Sequence, residues 1–249
     1  MGAKYILAFG LLVIGRVLFG AALSGNIDAL FGRNLSPEQS KASLTVEPKV
    51  VLGLTEFARI GLLTSIDRPT DVFERLSVGK TVLSIDYLVP VGLFAVTPSV
   101  SSNLLNLDRW ASDGYRARLT ASLTASVSQT WLSASVRAGS FWMLNEFSTL
   151  ANGGAASQFG FLQRADVELK INSLLLALSV IVEQSFNGVW ANDYATMQQI
   201  GYQIEENAVV SLRHELLSSV IDASTGFYRP LRLSDGRDSR ISLVFGLKL

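Results

Sequence analysis

The sequence predicts an all-β fold, an antiparallel up-and-down barrel of about twelve strands that crosses a membrane. Three observations lead to this prediction. Apolar and polar residues alternate through most of the chain, the alternating segments have the length that a tilted strand needs to cross a bilayer, and the links between them are alternately short and long. Alternation places successive side chains on opposite faces of a strand, and a barrel in lipid needs one apolar face and one polar face.

The composition is that of a membrane protein without membrane helices. Apolar residues make up 49% of the 249 residues and charged residues 17%, whereas soluble domains usually carry ~25% charged residues. After the N-terminus no apolar run reaches the ~18–20 residues of a membrane helix. An all-β soluble protein and a transmembrane barrel both remain open at this point.

Charge and cysteine content exclude several function classes. The formal net charge is zero, so a nucleic-acid partner is not expected. The chain has no cysteine, which excludes disulfides, thiolate zinc sites and iron–sulfur clusters. We expect no cofactor and no metal site.

The N-terminus resembles a secretory signal. Lys4 supplies a positive charge, residues 5–14 are apolar, and Ala22-Leu23-Ser24 is a small-x-small cleavage site. We expect residues 1–24 to be a signal peptide and residues 25–249 to form the barrel, with an uncleaved membrane anchor as the alternative.

The alternation is clearest in three segments, 115–127, 161–171 and 241–249. In 241–249 every second residue is large and apolar, up to the last residue. In 161–171 one face carries four charges, which is too many for the core of a soluble sandwich. The predicted strands are 26–33, 43–54, 57–66, 76–87, 91–100, 115–127, 131–142, 161–171, 174–186, 197–205, 208–219 and 241–249.

The links between these segments predict the orientation of the barrel. Tight links fall near 87–91, 127–130, 171–173 and 205–207, and longer links near 67–75, 101–114, 143–159, 187–195 and 220–238. Short turns face the periplasm and longer loops face outward in this architecture. The five long links alone imply ten strands; the segments 26–33 and 43–54 raise the number to twelve, which we predict, with ten as the alternative.

Aromatic residues cluster near the predicted strand ends, where rings with a polar edge favour the two membrane interfaces. They are Trp110, Tyr115, Trp131, Phe141, Trp142, Phe159, Phe186, Trp190, Tyr194 and Tyr228.

The charged residues on the polar faces of the strands are the candidate functional residues, because they would line the interior. They are Arg116, Arg118, Arg137, Arg164, Asp166, Glu168, Lys170, Glu183, Glu205, Arg213 and Glu215. Such charges either form a constriction that filters solutes or an ion-paired network that plugs a narrow barrel. The arginines concentrate in 115–137 and the acids in 166–215, so the two groups have the opportunity to pair.

His214 is the sole histidine and the first place to look for catalysis. Ser211 and Glu215 lie on the face opposite His214, since each is an odd number of positions away from it along the strand. One strand cannot bring these three side chains together as a hydrolase needs. We therefore predict no catalytic residue.

Taken together, the signal, the alternating strands, the alternating link lengths and the apolar terminal strand resemble the bacterial outer-membrane β-barrel class. The resemblance covers nearly the whole chain, with one departure: the class usually ends in an aromatic residue, whereas this chain ends in Leu249, four residues after Phe245. It implies residence in the outer membrane in contact with lipid, and biogenesis through periplasmic chaperones and the barrel-assembly machinery.

Fold alone does not assign a function. The first expectation is a non-enzymatic barrel, either a narrow porin-like channel or a structural barrel with a charged lumen. The alternatives are a subunit or partner of a larger envelope, secretion or attachment assembly, and an outer-membrane enzyme that acts on lipid or peptide.

Overall fold

Strands account for nearly all of the residues that the computed structural model describes, which are 22–34, 42–69, 77–104, 115–145, 158–186, 190–219 and 239–248. They are β1 (Ala22–Asn34), β2 (Ala42–Gly53), β3 (Ala58–Pro69), β4 (Ser77–Tyr87), β5 (Val89–Val91), β6 (Phe94–Leu104), β7 (Tyr115–Ser128), β8 (Leu132–Asn145), β9 (Phe159–Ile171), β10 (Leu174–Phe186), β11 (Trp190–Glu205), β12 (Ala208–Ser219) and β13 (Ser239–Lys248).

The strands form a single closed antiparallel sheet. Each long strand pairs with its neighbours in sequence, β1 pairs with β13, and β4 pairs with β6. β5 has three residues and extends the β6 edge next to the end of β4. The barrel therefore has twelve long strands, which confirms the predicted fold and the larger of the two predicted strand numbers. No described helix is long and apolar enough to cross a membrane.

The short turns lie at one end of the barrel, as predicted, but the link predicted near 87–91 lies at Gly92 and Leu93, because Val89–Val91 form β5 and pair with β6. Asn172 and Gly92 adopt positive φ angles of 55° and 62° in the β9–β10 and β5–β6 turns, a conformation that tight hairpins require. The tight links near 127–130 and 205–207 are likewise turns between paired strands. At the opposite end, the predicted long links fall largely on residues outside the described ranges, as do the predicted aromatic positions Trp110 and Tyr228.

The predicted long link at 187–195 is wrong, because β11 already begins at Trp190. Asn192 and Asp193 suggest a loop in the sequence, but they continue the ladder with β10. The Trp190 ring packs on Phe186 at 5.3 Å and on Phe159 at 5.7 Å between ring centroids. Cross-strand aromatic contacts of this kind stabilise the pairing of two strands, and here they lie beside Asn192 and Asp193 at the start of β11.

The outer face of the barrel is apolar and exposed. Along β13 the outward residues Ile241, Leu243 and Phe245 are 37%, 40% and 52% exposed, whereas the alternate residues Ser242 and Val244 are 1% and 3% exposed. The same outward exposure of large apolar side chains recurs on β4, β7, β8, β9 and β12. A surface of this kind is stable in lipid and unfavourable in water.

Candidate functional site

Cross-strand register decides which side chains face the lumen, because paired residues share a face of the sheet. Of the predicted lumen charges, the following share the face opposite the exposed apolar belt: Arg118, Arg137, Arg164, Asp166, Glu168, Lys170, Glu183, Arg213 and Glu215. Glu205 instead lies exposed at the β11–β12 turn, beyond a register shift that ends the strict alternation. The side chain of Arg116 lies outside the part of the structure that is described.

Arg118 and Glu183 form an ion pair that joins β7 to β10. The two guanidinium nitrogens donate to the two carboxylate oxygens, with Nη1···Oε1 at 2.8 Å and Nη2···Oε2 at 3.0 Å. The Arg118 Cζ atom also lies 3.7 Å from the centroid of the Phe141 ring. A two-pronged contact and a ring beneath it fix the guanidinium in one orientation.

Gly160 makes room for this arrangement, which we call the arginine stack (Arg118, Phe141, Gly160 and Glu183). A Cβ atom on Gly160 would collide with the Phe141 ring and with the Gln184 carbonyl oxygen. The glycine therefore lets the ring lie against the barrel wall, and Phe141 is only 1% exposed. Of the aromatic residues that the sequence suggested for the interface, Phe141 and Tyr194 are buried, whereas Trp131, Trp142 and Trp190 are exposed.

We expect Gly160→Ala to lower the free energy of unfolding by about 1–3 kcal/mol, since overpacking forces the ring or the backbone to move. The matched control is Gly246→Ala, also on the inward face, where an added Cβ would approach only the end of the Asp28 side chain at 3.0 Å. Urea unfolding of the refolded barrel measures both. Equal stability of the two variants would contradict the proposed role of Gly160.

Two other ion pairs each lie within a single strand. Arg164 contacts Asp166 with Nε and Nη2 both at 2.8 Å from Oδ1, and the Ser135 hydroxyl donates to Asp166 at 3.3 Å. Arg213 lies 3.6 Å from Glu215, and its Nε donates to Gln199 at 3.1 Å. Oppositely charged residues two positions apart on the inward face of one strand therefore pair with each other.

Residues of the terminal strands also line the lumen, although the sequence analysis did not select them. Asp28, Lys49, Arg240 and Lys248 share the inward face of β1, β2 and β13. Arg240 donates from Nη2 to the Ser43 hydroxyl at 2.9 Å and passes across Gly32, where a side chain would meet it. The same period-two alternation places Lys248 on the polar face of 241–249 and Lys49 on that of 43–54, whereas Arg240 lies just before a predicted segment and the residues around Asp28 alternate less regularly.

A cavity of about 470 Å³ occupies the end of the lumen near the short turns. Its lining includes Lys49 on β2 and Glu168 and Lys170 on β9. β2 and β9 are separated by the five strands β1, β13, β12, β11 and β10 on one side of the ring of twelve, so they stand opposite each other. The cavity thus reaches across the barrel, and its charged lining also contains Asp28, Arg213 and Lys248.

Hydroxyl groups dominate the inward face of β6, β7 and β8. Direct contacts among them include Ser99 with Ser122, whose Oγ atoms lie 3.1 Å apart. The inward hydroxyl residues of this wall are Thr97, Ser99, Ser101, Thr120, Ser122, Thr124, Ser126, Ser128, Ser133 and Ser135. Short hydroxyl side chains leave space and offer both donors and acceptors.

His214 lies on the outward face of β12, opposite Gln198 and Ile241. Its Nε2 atom is 3.0 Å from the Ser239 hydroxyl oxygen. Ser211 and Glu215 face the lumen from the same strand, so the three residues do not converge. Within the described ranges no group of three or more metal-ligating side chains is positioned to hold a metal ion.

No protein-family model and no curated protein matches the sequence. Solved structures do match it over most of its length. The NanC porin is 13% identical with a TM-score of 0.58, over 89% of this chain and 97% of that chain. An outer-membrane channel from Pseudomonas putida is 7% identical with a TM-score of 0.56, over 92% and 96%. The KdgM porin is 9% identical with a TM-score of 0.53, over 89% and 98%.

At these identities the similarity is one of fold. This chain is a closed antiparallel barrel with twelve long strands, and its backbone matches outer-membrane porins and a channel over most of their lengths. The chain has the fold of the bacterial outer-membrane β-barrel proteins.

Proposed function

We propose that the protein is a narrow, non-enzymatic channel of the bacterial outer membrane that passes small hydrophilic solutes. The observation that carries this proposal is the direction of the polar contacts in the lumen. Of the three ion pairs identified above within the described residues, two lie within one strand, and the third joins β7 to β10 along the same side of the barrel. None of these three crosses the lumen to the opposite wall, as a plug would require.

The size of the barrel supports the same conclusion. Eight strands give an interior that side chains fill, and sixteen to eighteen leave a wide aqueous channel, so about twelve strands lie between these cases. Ten of the nineteen residues that line the cavity between β2 and β9 are charged or carry an amide, and these groups favour water in the cavity. The outward position of His214, away from Ser211 and Glu215, supports a role without catalysis.

Planar-bilayer recording of the refolded protein tests the proposal. We expect stable unit conductance steps, because water and ions would fill a polar lumen whose wall contacts leave it open. Heat-modifiable migration on a gel identifies the folded barrel. If the folded barrel inserts into the bilayer without conducting, the channel is refuted.

The absence of cysteine from the chain allows a sharper version of this experiment. Val209 lines the lumen cavity, whereas its neighbour Val210 pairs with Phe245 on the outward face. A charged, water-soluble thiosulfonate should lower the conductance of Val209→Cys and leave that of Val210→Cys unchanged. Equal responses would mean that the current does not flow through the lumen.

A further inference from the structure

We infer that the lumen binds a small oxyanion, a carboxylate or a phosphate, at Arg137, an inference that rests on the channel proposed above. Arg137 on β8 and Arg164 on β9 are direct cross-strand partners on the inward face. Like charges directly opposite each other in a sheet are unfavourable. An anion bound beside them would relieve this repulsion.

The two arginines differ in what neutralises them. Arg164 contacts Asp166 through Nε and Nη2, both at 2.8 Å. Arg137 donates from Nε to the Thr124 hydroxyl oxygen at 3.0 Å, and among the described residues it has no acidic partner. Thr124 therefore orients the Arg137 guanidinium while leaving its charge and its terminal amino groups for a ligand.

On the side of Arg137 toward the long links, no side chain projects from β8 into the lumen at the next inward position. The next inward residue of β8 is Gly139, where an added Cβ would lie 2.6 Å from the Ala121 carbonyl oxygen and 2.7 Å from Ser122 Cβ. No larger residue fits there without moving the backbone. The hydroxyl groups of Ser122 and Thr124 border the same area on β7.

These features together define the chemistry of the ligand. A guanidinium group recognises carboxylate and phosphate oxygens through paired N–H donors. The neighbouring hydroxyl residues provide hydrogen-bond partners for hydroxyl groups on the same ligand. An oxyanion is thus the shared requirement, and a sugar acid or inorganic phosphate would each meet it.

Isothermal titration of the refolded, detergent-bound barrel tests the site directly. Gluconate and inorganic phosphate are titrated separately, with glucose as an uncharged comparison. We expect binding of at least one anion, no binding of glucose, and about tenfold weaker binding in Arg137→Gln, since a hydrogen bond to a charged group has roughly this value. Arg137→Lys keeps the positive charge and loses the paired N–H donors, so its affinity for the anion should lie between those of the unmodified protein and Arg137→Gln.

The matched control is Arg59→Gln. Arg59 is an exposed, inward arginine on β3, at the end of the barrel near the short turns, and its cross-strand neighbour is Asp86. The strands β4, β6 and β7 separate β3 from β8. We expect this variant to bind like the unmodified protein. If anion binding were weakened equally in Arg59→Gln and Arg137→Gln, the proposed site would be wrong, because the loss would then reflect the total charge of the lumen. Unchanged binding in Arg137→Gln, or binding of neither anion, would also overturn it.

The titration and the conductance recording separate this inference from the proposed function. A conducting barrel that binds neither anion refutes the Arg137 site and keeps the channel. A silent barrel that binds an anion through Arg137 refutes the channel and keeps the site. Preference for gluconate over phosphate, or the reverse, identifies which source of the oxyanion the lumen accepts.

Discussion

Val136→Arg is expected to lower the free energy of unfolding of the barrel by about 2–4 kcal/mol, the cost of a charged side chain near the middle of the lipid-facing belt. Val136 is 62% exposed on the outward face of β8 and lies between Trp131 and Trp142, which are 57% and 49% exposed. In a soluble protein an exposed position of this kind would tolerate arginine with little loss. The substitution thus distinguishes lipid from water as the surrounding medium.

Ser133→Arg is the matched control on the same strand. Ser133 faces the lumen and pairs with Glu168, so the new guanidinium would meet water and a carboxylate. We expect a change of less than about 1 kcal/mol. Reversible urea unfolding in lipid vesicles measures both variants. If Val136→Arg proves as stable as Ser133→Arg, the outward face of β8 is not in contact with lipid.

Glu183→Gln is expected to destabilise the barrel by about 1–3 kcal/mol, because it removes the charge that holds Arg118 in the arginine stack. The side chains of Arg118 and Glu183 are 21% and 31% exposed, so water partly screens the pair and the loss should fall short of that of a fully buried pair. The stack lies against the wall over Gly160, and a guanidinium without its carboxylate is free to move into the lumen.

The control for this prediction is Glu168→Gln. Glu168 is an exposed inward carboxylate that forms no ion pair with the described residues. We expect its loss to change stability by less than about 0.5 kcal/mol. A double-mutant cycle with Arg118→Gln isolates the contribution of the pair. A coupling energy near zero would show that the contact between Arg118 and Glu183 does not stabilise the fold.

Much of the fold could be predicted from alternation alone. Ten of the twelve predicted segments overlap long strands closely. The segment 26–33 lies within β1, and 197–205 covers only the later part of β11. The apolar face of 241–249 is the exposed face of β13. These features depend only on the period of two residues that every strand imposes, so a single sequence contains them.

Other features needed the lateral arrangement of strands. Asn192 and Asp193 look like a loop in the sequence and lie in β11, because the aromatic residues around them pair across strands. Glu205 is two positions after Gln203, so alternation alone would place both side chains on the same face. A register shift between these two residues at the end of β11 ends that alternation. The alternation of residues within one strand does not reveal either effect.

Alternation along the chain is enough to predict one apolar and one polar face and to place the arginines and acids on the polar face. Which of these charges meet depends on how the strands are arranged around the barrel. Arg118 and Glu183 are 65 residues apart and pair because β8 and β9 between them carry Phe141 and Gly160 at the same level. Arg137 and Arg164 are cross-strand neighbours, and of the two Arg164 forms an ion pair, with Asp166. The reason is physical: the face of a side chain follows from its own strand, whereas its partners follow from strand order, register and closure of the sheet.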